Sequence, residues 1–277
     1  MDYGGYVVID DIREAKDRGC FNCKNKEQCE RFQELNDGAR RSRLPWKCWR
    51  SEREGRTMIE YHKIETIYQR DMNGSKKLID GLFRNETVEF LRNVRWTWTE
   101  KIDGTNIRVQ WDGHKVEFGG RTDKAQIPAH LVNRLNELFG GNEAEQLFEQ
   151  KFGEKEVIIF GEGYGAKIQS GGDYTEDGKS VDFRAFDIMV CGNYLDRENV
   201  ESIATAFGVN TVPIVGVGTL REAVEFMKRN PRSLLSPFKH EMEGLVCRPS
   251  IELQDRCGHR IIVKIKWEDV KDLQGAM

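Results

Sequence analysis

No apolar run in this chain of 277 residues approaches the roughly 18 that a bilayer-crossing helix needs, so a helical membrane protein is excluded. The opening residues Met1 to Asp10 lack a basic segment, and their one apolar stretch is Tyr6-Val7-Val8-Ile9. No secretory signal is therefore expected, and the cytoplasm is the expected compartment. Neither a Walker A sequence nor a dinucleotide-type glycine pattern occurs, so any nucleotide must be held by another framework. There is no internal repeat, which argues against a solenoid, and no low-complexity tract. Basic excess is missing too: the net charge is −3, so a nucleic-acid surface would have to be a local patch. What remains, with 38% hydrophobic and 32% charged residues, is the composition of a soluble globular protein with one main core.

Seven cysteines, an odd number, do not suit a disulfide framework in a reducing compartment, and metal ligation becomes the reading to test. Cys20-x2-Cys23 is a chelating spacing, and Cys29 and Cys48 complete the four ligands of a tetrahedral zinc site. An iron–sulfur cluster and unligated thiols are the alternatives. Cys191, Cys247 and Cys257 are scattered and read as ordinary thiols. The segment 1–57 has too few large aliphatics to bury a core alone, and units this small generally need a metal or disulfides. From Arg40 to Arg56 it carries seven basic residues against two acidic, with Trp46 and Trp49 interleaved. That mixture suits phosphate contact and base stacking, or equally a linker whose tryptophans pack on the body. A Cys-rich, basic amino-terminal module (1–57) and a main domain (58–277) are expected.

In the main domain, Trp96-Thr97-Trp98-Thr99-Glu100-Lys101 alternates aromatic and polar residues and predicts a half-buried strand ending at Lys101. Two alternating stretches, Thr105 to Trp111 and His114 to Phe118, flank Asp112-Gly113 and predict a hairpin. Leu131, Leu135, Leu138 and Phe139 have helical spacing over Pro128 to Phe139. Val157 to Phe160, Val181 to Val190, Glu243 to Cys247 and Arg260 to Trp267 read as further strands. Asp196 is a candidate N-cap for a helix running towards Phe207, and Thr219 with Glu222 forms a capping box. Strands outnumber helices and are mostly joined by hairpins, which predicts an α+β fold of mostly antiparallel sheets with flanking helices.

Five short sequences stand out in order: Lys101-Ile-Asp-Gly, Phe160-Gly-Glu-Gly, Phe183-Arg-Ala-Phe-Asp-Ile, Glu243-Gly-Leu-Val and Lys264-Ile-Lys. Taken singly, each has a bland reading as a solvated lysine, a surface glutamate or a core aromatic. In this order they resemble the motifs of the covalent nucleotidyltransferase superfamily of ligases and capping enzymes. Asn106, five residues after Lys101, is similar to the RNA ligase 2 branch, as are Tyr61-His62-Lys63-Ile64 and Gly120-Arg121-Thr122-Asp123-Lys124.

The resemblance implies an ATP-grasp-like nucleotidyltransferase domain and the following roles. Lys101 would take AMP from ATP as a covalent adduct, with Lys264 and Lys266 completing the catalytic set and holding the phosphates. Glu100, Asn106, Glu162 on the ribose and Phe186 against adenine would bind the nucleotide. Arg121 would engage the 5′-phosphate of RNA, and Glu243 and Asp187 would bind Mg²⁺ or Mn²⁺. RNA with 5′-phosphate and 3′-hydroxyl ends would be the polynucleotide partner. Phe183 reads as core.

A lysine attacks only when neutral, so something must disfavour its charge. Lys264 and Lys266 lie two apart on a strand and share a face, while Val263 and Ile265 share the other. If the lysine face lines the cleft, two cations beside Lys101 would do this. Eleven residues follow Lys266, too few for the domain that such enzymes usually carry there, and the amino-terminal module is the expected substitute. The alternatives are a DNA ligase, a capping-type nucleotidyltransferase, or a protein that binds RNA ends without sealing them.

Overall fold

The computed structural model describes residues 58–169, 171–255 and 258–271, together with Tyr6–Val7 and Leu44–Pro45. The chain divides into two compact units, Met1–Thr57 and Met58–Met277. In the first, Tyr6–Val7 (β1) pairs antiparallel with Leu44–Pro45 (β2). Cys20, Cys23, Cys29 and Cys48, and with them the expected zinc site, lie outside the described residues, as does Cys257.

The second unit opens with β3 (Glu65–Thr66), β4 (Tyr68–Arg70), β5 (Leu78–Phe83), α1 (Glu86–Phe90), β6 (Trp96–Lys101), β7 (Thr105–Trp111) and β8 (Val116–Gly119). Next come α2 (Ala129–Phe139), α3 (Gly141–Phe152), β9 (Val157–Gly165), β10 (Val181–Val190) and β11 (Asn193–Tyr194). The remaining elements are α4 (Arg197–Ala206), β12 (Asn210–Thr211), β13 (Ile214–Gly218), α5 (Leu220–Lys228), β14 (Gly244–Pro249), β15 (Val263–Lys266) and α6 (Trp267–Val270). One sheet has the order β11-β10-β9-β7-β8 with β12 beside β10, and the other β13-β6-β14-β15-β3. Pairing is antiparallel except for β10 with β12 and β15 with β3. The expected α+β architecture of mostly antiparallel sheets is what forms. Among the described residues no helix is long and apolar enough to cross a membrane.

Each sheet buries one face under helices. On the first, Leu131, Leu135 and Phe139 of α2 are wholly buried against Ile107, Val109 and Phe183. Each such side chain contributes about 1.5–3 kcal/mol relative to exposure. On the second, Leu220, Val224 and Met227 of α5 pack with Trp96, Leu245, Val263 and Ile265. Both expected caps are present: the Asp196 side chain accepts from Asn199 N, and Thr219 and Glu222 satisfy each other's backbone. The hairpin turn sits one residue later than the Asp-Gly reading. Asp112 N donates to Lys115 O, so Gly113 and His114 are the central pair, and Gly113 has the positive φ of 101° that the turn requires. Asp112 caps the turn instead, its carboxylate accepting from His114 N and Lys115 N.

Candidate active site

The uncovered faces of the two sheets line a cleft with about 850 Å³ of open space, reached by residues of β6, β7, β9, β10, β14 and β15. Cross-strand pairing sets its centre. Gly244 lies opposite Lys101 on one side and Lys266 on the other, which brings the preceding Glu243 between two lysines. The Lys101 ammonium donates to both Glu243 oxygens at 2.7 and 2.9 Å, and Lys266 Nζ lies 2.9 Å from Oε1. A side chain at Gly244 would meet the Ile265 carbonyl oxygen at 2.2 Å, so this glycine allows the close crossing of β14 and β15.

The alternation of β15 holds: Val263 and Ile265 are core, while Lys264, which lines the cleft, and Lys266, which pairs with Glu243, are half-buried. Their relation to Lys101 differs from the expected pair of neighbouring cations, because the group touching Lys101 is the Glu243 carboxylate. Burial and then the charges of Lys101, Lys266 and Arg121 lower the pKa of Lys264. Burial is the largest influence on Lys266 and pulls it down, but the hydrogen bond to Glu243 and the charges of Glu243, Glu268 and Asp103 together outweigh it, and the net shift is upward. The two strand lysines are therefore electrostatically unlike: Lys266 is clamped, and Lys264 carries the strained positive charge.

Across the cleft, Asn106 of β7 and Glu162 of β9 are direct cross-strand partners. Asn106 Oδ1 is buried without a hydrogen-bond partner, a polar atom in a cleft wall that a ligand or a water can satisfy. The glycines flanking Glu162 serve the fold, since added side chains would strike the Phe183 ring at 2.2 Å and Leu131 at 2.4 Å. Burial pushes the Glu162 carboxyl up to about 8; Lys101 opposes that shift, and Glu243 and Asp103 reinforce it.

A carboxyl with a folded-state pKa above its unfolded value costs stability as pH rises between the two. Glu162→Gln removes this cost. In metal-free buffer its melting temperature should exceed that of the parent at pH 9, with the gap shrinking towards pH 5. A gap independent of pH would show that Glu162 stays ionised in the folded protein.

The opposite end of the cleft is apolar and aromatic. A β-bulge between Ala185 and Asp187 leaves Phe186 without a cross-strand partner, and both Phe186 and Asp187 line the cleft while Phe183 and Ala185 enter the core. Phe186 stands edge-on to Tyr61 at 5.0 Å and meets Ile102 and Val212. Arg121 also lines the cleft, on a loop held by Arg108. The Arg108 side chain is wholly buried; it donates to Gly120 O at 2.6 Å, Met58 O at 2.9 Å and Asp123 at 2.9 Å.

Two expected ligands have other work. Asp187, expected on the metal, is buried and takes Arg248 at 2.8 Å, Arg260 at 2.8 and 3.2 Å and the Tyr61 hydroxyl at 2.5 Å. Burial alone would raise its pKa, yet the charges of Arg248 and Arg260 hold it below the ordinary value. With both oxygens so occupied it is an anchor for arginines, and the metal assignment does not suit it. Glu100 lines the cleft, but its carboxylate accepts from Ser233 Oγ, Leu234 N and Leu235 N. Sequence reasoning missed Arg108, Arg248, Arg260 and Ser233, and reached Tyr61 only as part of a resembling stretch, without its hydrogen bond to Asp187.

Among the described residues no cluster of three or more His, Cys, Asp or Glu side chains is arranged to hold a metal by itself. Glu243 and Glu162, which repel each other, offer the hard oxygen donors that suit Mg²⁺ or Mn²⁺ carried in with a triphosphate, an ion usually held by one or two carboxylates plus phosphates and water.

A strand-end lysine that lines a cleft between two sheets, paired with a carboxylate shared by a second lysine, suits covalent nucleotidyl transfer. The RNA ligase family profile matches residues 94–266, and the chain belongs to that family. Among solved structures it is similar to the Naegleria gruberi RNA ligase. A variant of that protein with ATP and Mn aligns at TM-score 0.50 and 20% identity, over 67% of this chain and 54% of that one. An apo variant aligns at 0.53 and 18%, over 78% and 58%. A third variant, also with ATP and Mn, aligns at 0.52 and 19%, over 75% and 56%. The chain thus spans a little over half the length of these structures, and the likeness is one of fold. No curated protein sequence gives a significant match.

Proposed function

We propose that this protein is an ATP-dependent RNA ligase that forms a lysyl-AMP on Lys101 and uses it to join a 5′-phosphate to a 3′-hydroxyl. The observation that carries the reading is the placement of Lys101. It lines, with Lys264, a cleft whose far end, around Phe186, is apolar and aromatic, and it is paired with Glu243, which Lys266 also holds. A base stacks at the Phe186 end, and the triphosphate extends towards Lys264 and Arg121.

Neutral Lys101 Nζ attacks the α-phosphorus, the N–P bond forms, the bond to the bridging oxygen breaks, and pyrophosphate leaves. An RNA 5′-phosphate oxygen then takes the adenylyl group and frees the lysine. Finally the 3′-hydroxyl attacks that 5′-phosphorus, the phosphodiester forms, and AMP departs. Such steps depend on position and charge more than on acid–base relays.

Glu243 holds the ammonium ready and must release it before attack; its second partner, Lys266, keeps the carboxylate in place while Lys101 leaves. Glu243, with Glu162 nearby, would hold Mg²⁺ or Mn²⁺, which when bound would supply positive charge to the phosphate oxygens. Lys264 and Arg121 present further cations along the same wall.

The amino-terminal module supports RNA capture through its basic, tryptophan-bearing stretch from Arg40 to Arg56, with Cys20, Cys23, Cys29 and Cys48 as zinc ligands. Removing Met1–Thr57 should leave adenylylation of Lys101 intact while RNA affinity and sealing fall together. The measurement pairs ³²P transfer from α-labelled ATP with sealing of nicked duplex RNA, cleaved tRNA and RNA–DNA hybrids; GTP and NAD serve as rival donors. Label from GTP or NAD instead of ATP would overturn the donor assignment. Label with no sealing of any RNA would favour the end-binding alternative. Unimpaired sealing by the shortened protein would remove the module's proposed role.

A further inference from the structure

We propose that Tyr174 is a positioning residue for the attack of Lys101: its hydroxyl holds the turn that follows Lys101, and its ring packs on the segment that leads to Glu243. The inference rests on reading Lys101 as the nucleophile. Strand β6 ends at Lys101 and β7 begins at Thr105, so Ile102, Asp103 and Gly104 form the turn. Tyr174 lies 71 residues from Asp103, is 5% exposed, and ends a short 3-10 turn, Gly171–Tyr174, between β9 and β10.

Two neighbours hold the turn. Asp103 N donates to the Tyr174 hydroxyl at 3.2 Å, and Ile102 joins Tyr174, Tyr164 and Val212 in one buried cluster. Strand β9 is the second neighbour: a side chain at Gly104 would meet Gly163 O at 2.4 Å and the Glu162 side chain at 2.9 Å. The Tyr174 ring is itself fixed, standing edge-on to Tyr164 at 5.8 Å and to His240 at 4.6 Å. Its own turn is tied down by Ser236 Oγ, which donates to Asp173 O at 2.7 Å. His240 precedes Glu243 by three residues, and its carbonyl accepts from Ser233 N at 2.9 Å. One tyrosine thus touches both segments whose side chains meet in the Lys101–Glu243 pair.

Attack requires Lys101 Nζ to leave the carboxylate and come into near contact with the α-phosphorus, and a misplacement of about 1 Å can cost about a hundredfold in rate. A hydroxyl that fixes the amide two residues after Lys101 limits that error without touching the reacting atoms, for Tyr174 does not line the cleft. Burial, joined by the charges of Glu100, Glu243 and Asp103, raises the hydroxyl's pKa against the opposing hydrogen bond from the Asp103 amide, so the group stays protonated. Tyr174→Phe removes the acceptor and keeps the ring. The Asp103 amide then loses its partner and the turn gains freedom. The rate of attack falls, while ATP binding, which depends on other residues, is kept.

The test follows single-turnover transfer of label from α-labelled ATP to the full-length protein, with Mg²⁺ and pyrophosphatase present. It reads the rate constant at saturating ATP, the ATP concentration that gives half that rate, and the plateau of labelled chains. Tyr174→Phe should lower the rate constant about tenfold or more, leaving the half-rate concentration within about twofold and the plateau unchanged. His240→Ala, which removes a support of the ring, should lower the rate constant less. The double variant should lose less than the product of the two losses, because both act through one ring. A merely structural role predicts a lower plateau or weaker ATP dependence with the rate constant of the labelled fraction intact, and either result overturns the proposal. Should Tyr174→Phe not fold, His240→Ala decides: an unchanged rate constant overturns the proposal, and a lower one at unchanged ATP dependence supports it. A parent that takes no label overturns the reading of the cleft and this proposal with it, whereas a parent that labels no faster than Tyr174→Phe overturns this proposal alone.

Discussion

Lys101→Ala, given α-labelled ATP and Mg²⁺, is expected to take up no label, while the parent acquires a label that acid removes and alkali leaves in place. That stability pattern is the signature of a phosphoramidate, the bond that a lysine nitrogen makes to phosphorus. Lys101 has the geometry for this chemistry in a way that Lys264 and Lys266 do not. It ends β6 in the cleft, with Glu243 oxygens at 2.7 and 2.9 Å that can hold and then release its ammonium. Lys266 shares that carboxylate, and Lys264 carries a charge that burial and its neighbours disfavour. Lys101→Arg should be equally inactive, since a guanidinium fills the space and keeps the charge but never becomes a neutral nucleophile at ordinary pH. Lys115→Ala, on the exposed β7–β8 hairpin, should label normally. Retention of label by Lys101→Ala would move the nucleophile elsewhere and undo the proposed function.

How much of this site could be read from the sequence depends on the distance over which each feature is encoded. Trp96 to Lys101, the two-residue offset of Lys264 and Lys266, the N-cap at Asp196 and the capping box at Thr219 are local signals, and each formed as its spacing implied. Helix α3 gave no comparable signal: it starts at Gly141, with φ of 82° and no side-chain cap, directly after α2. The β-bulge at Phe186 is likewise invisible in a ten-residue run of strand formers, yet it decides that Phe186 faces the cleft. The partners of the charged residues were least legible. Tyr61 meets Asp187 across 126 residues and Ser233 meets Glu100 across 133, so residue type alone could not distinguish a ligand from an anchor. The glycines near Glu162 and Glu243 show the same limit. Their spacing suggested room for a ligand, and their contacts are with Phe183, Leu131 and Ile265.

Asp187 provides the other large effect. Asp187→Asn should lower the melting temperature markedly even in the presence of EDTA, because it leaves Arg248 and the buried Arg260 without their shared anion. Breaking a buried ion pair from one side costs about 3–5 kcal/mol, and for a domain of this size each kcal/mol corresponds to roughly 2–4 °C. The same substitution loosens the acceptor of the Tyr61 hydroxyl and the guanidinium that donates to Phe186 O at 3.3 Å, so nucleotide affinity should fall as well. The pH dependence has a fixed sign. The folded-state pKa of Asp187 lies below its ordinary value, so its contribution is present above the unfolded pKa and is lost as pH falls through the folded one. The gap between parent and Asp187→Asn should therefore be full at pH 7 and close in acid, below the usual aspartate range. A metal ligand would behave differently, leaving the melting temperature in EDTA unchanged and raising the Mg²⁺ concentration needed for adenylylation. Calorimetry of both proteins across pH, with and without Mg²⁺, separates the two, and equal melting temperatures in EDTA at pH 7 would return Asp187 to the metal.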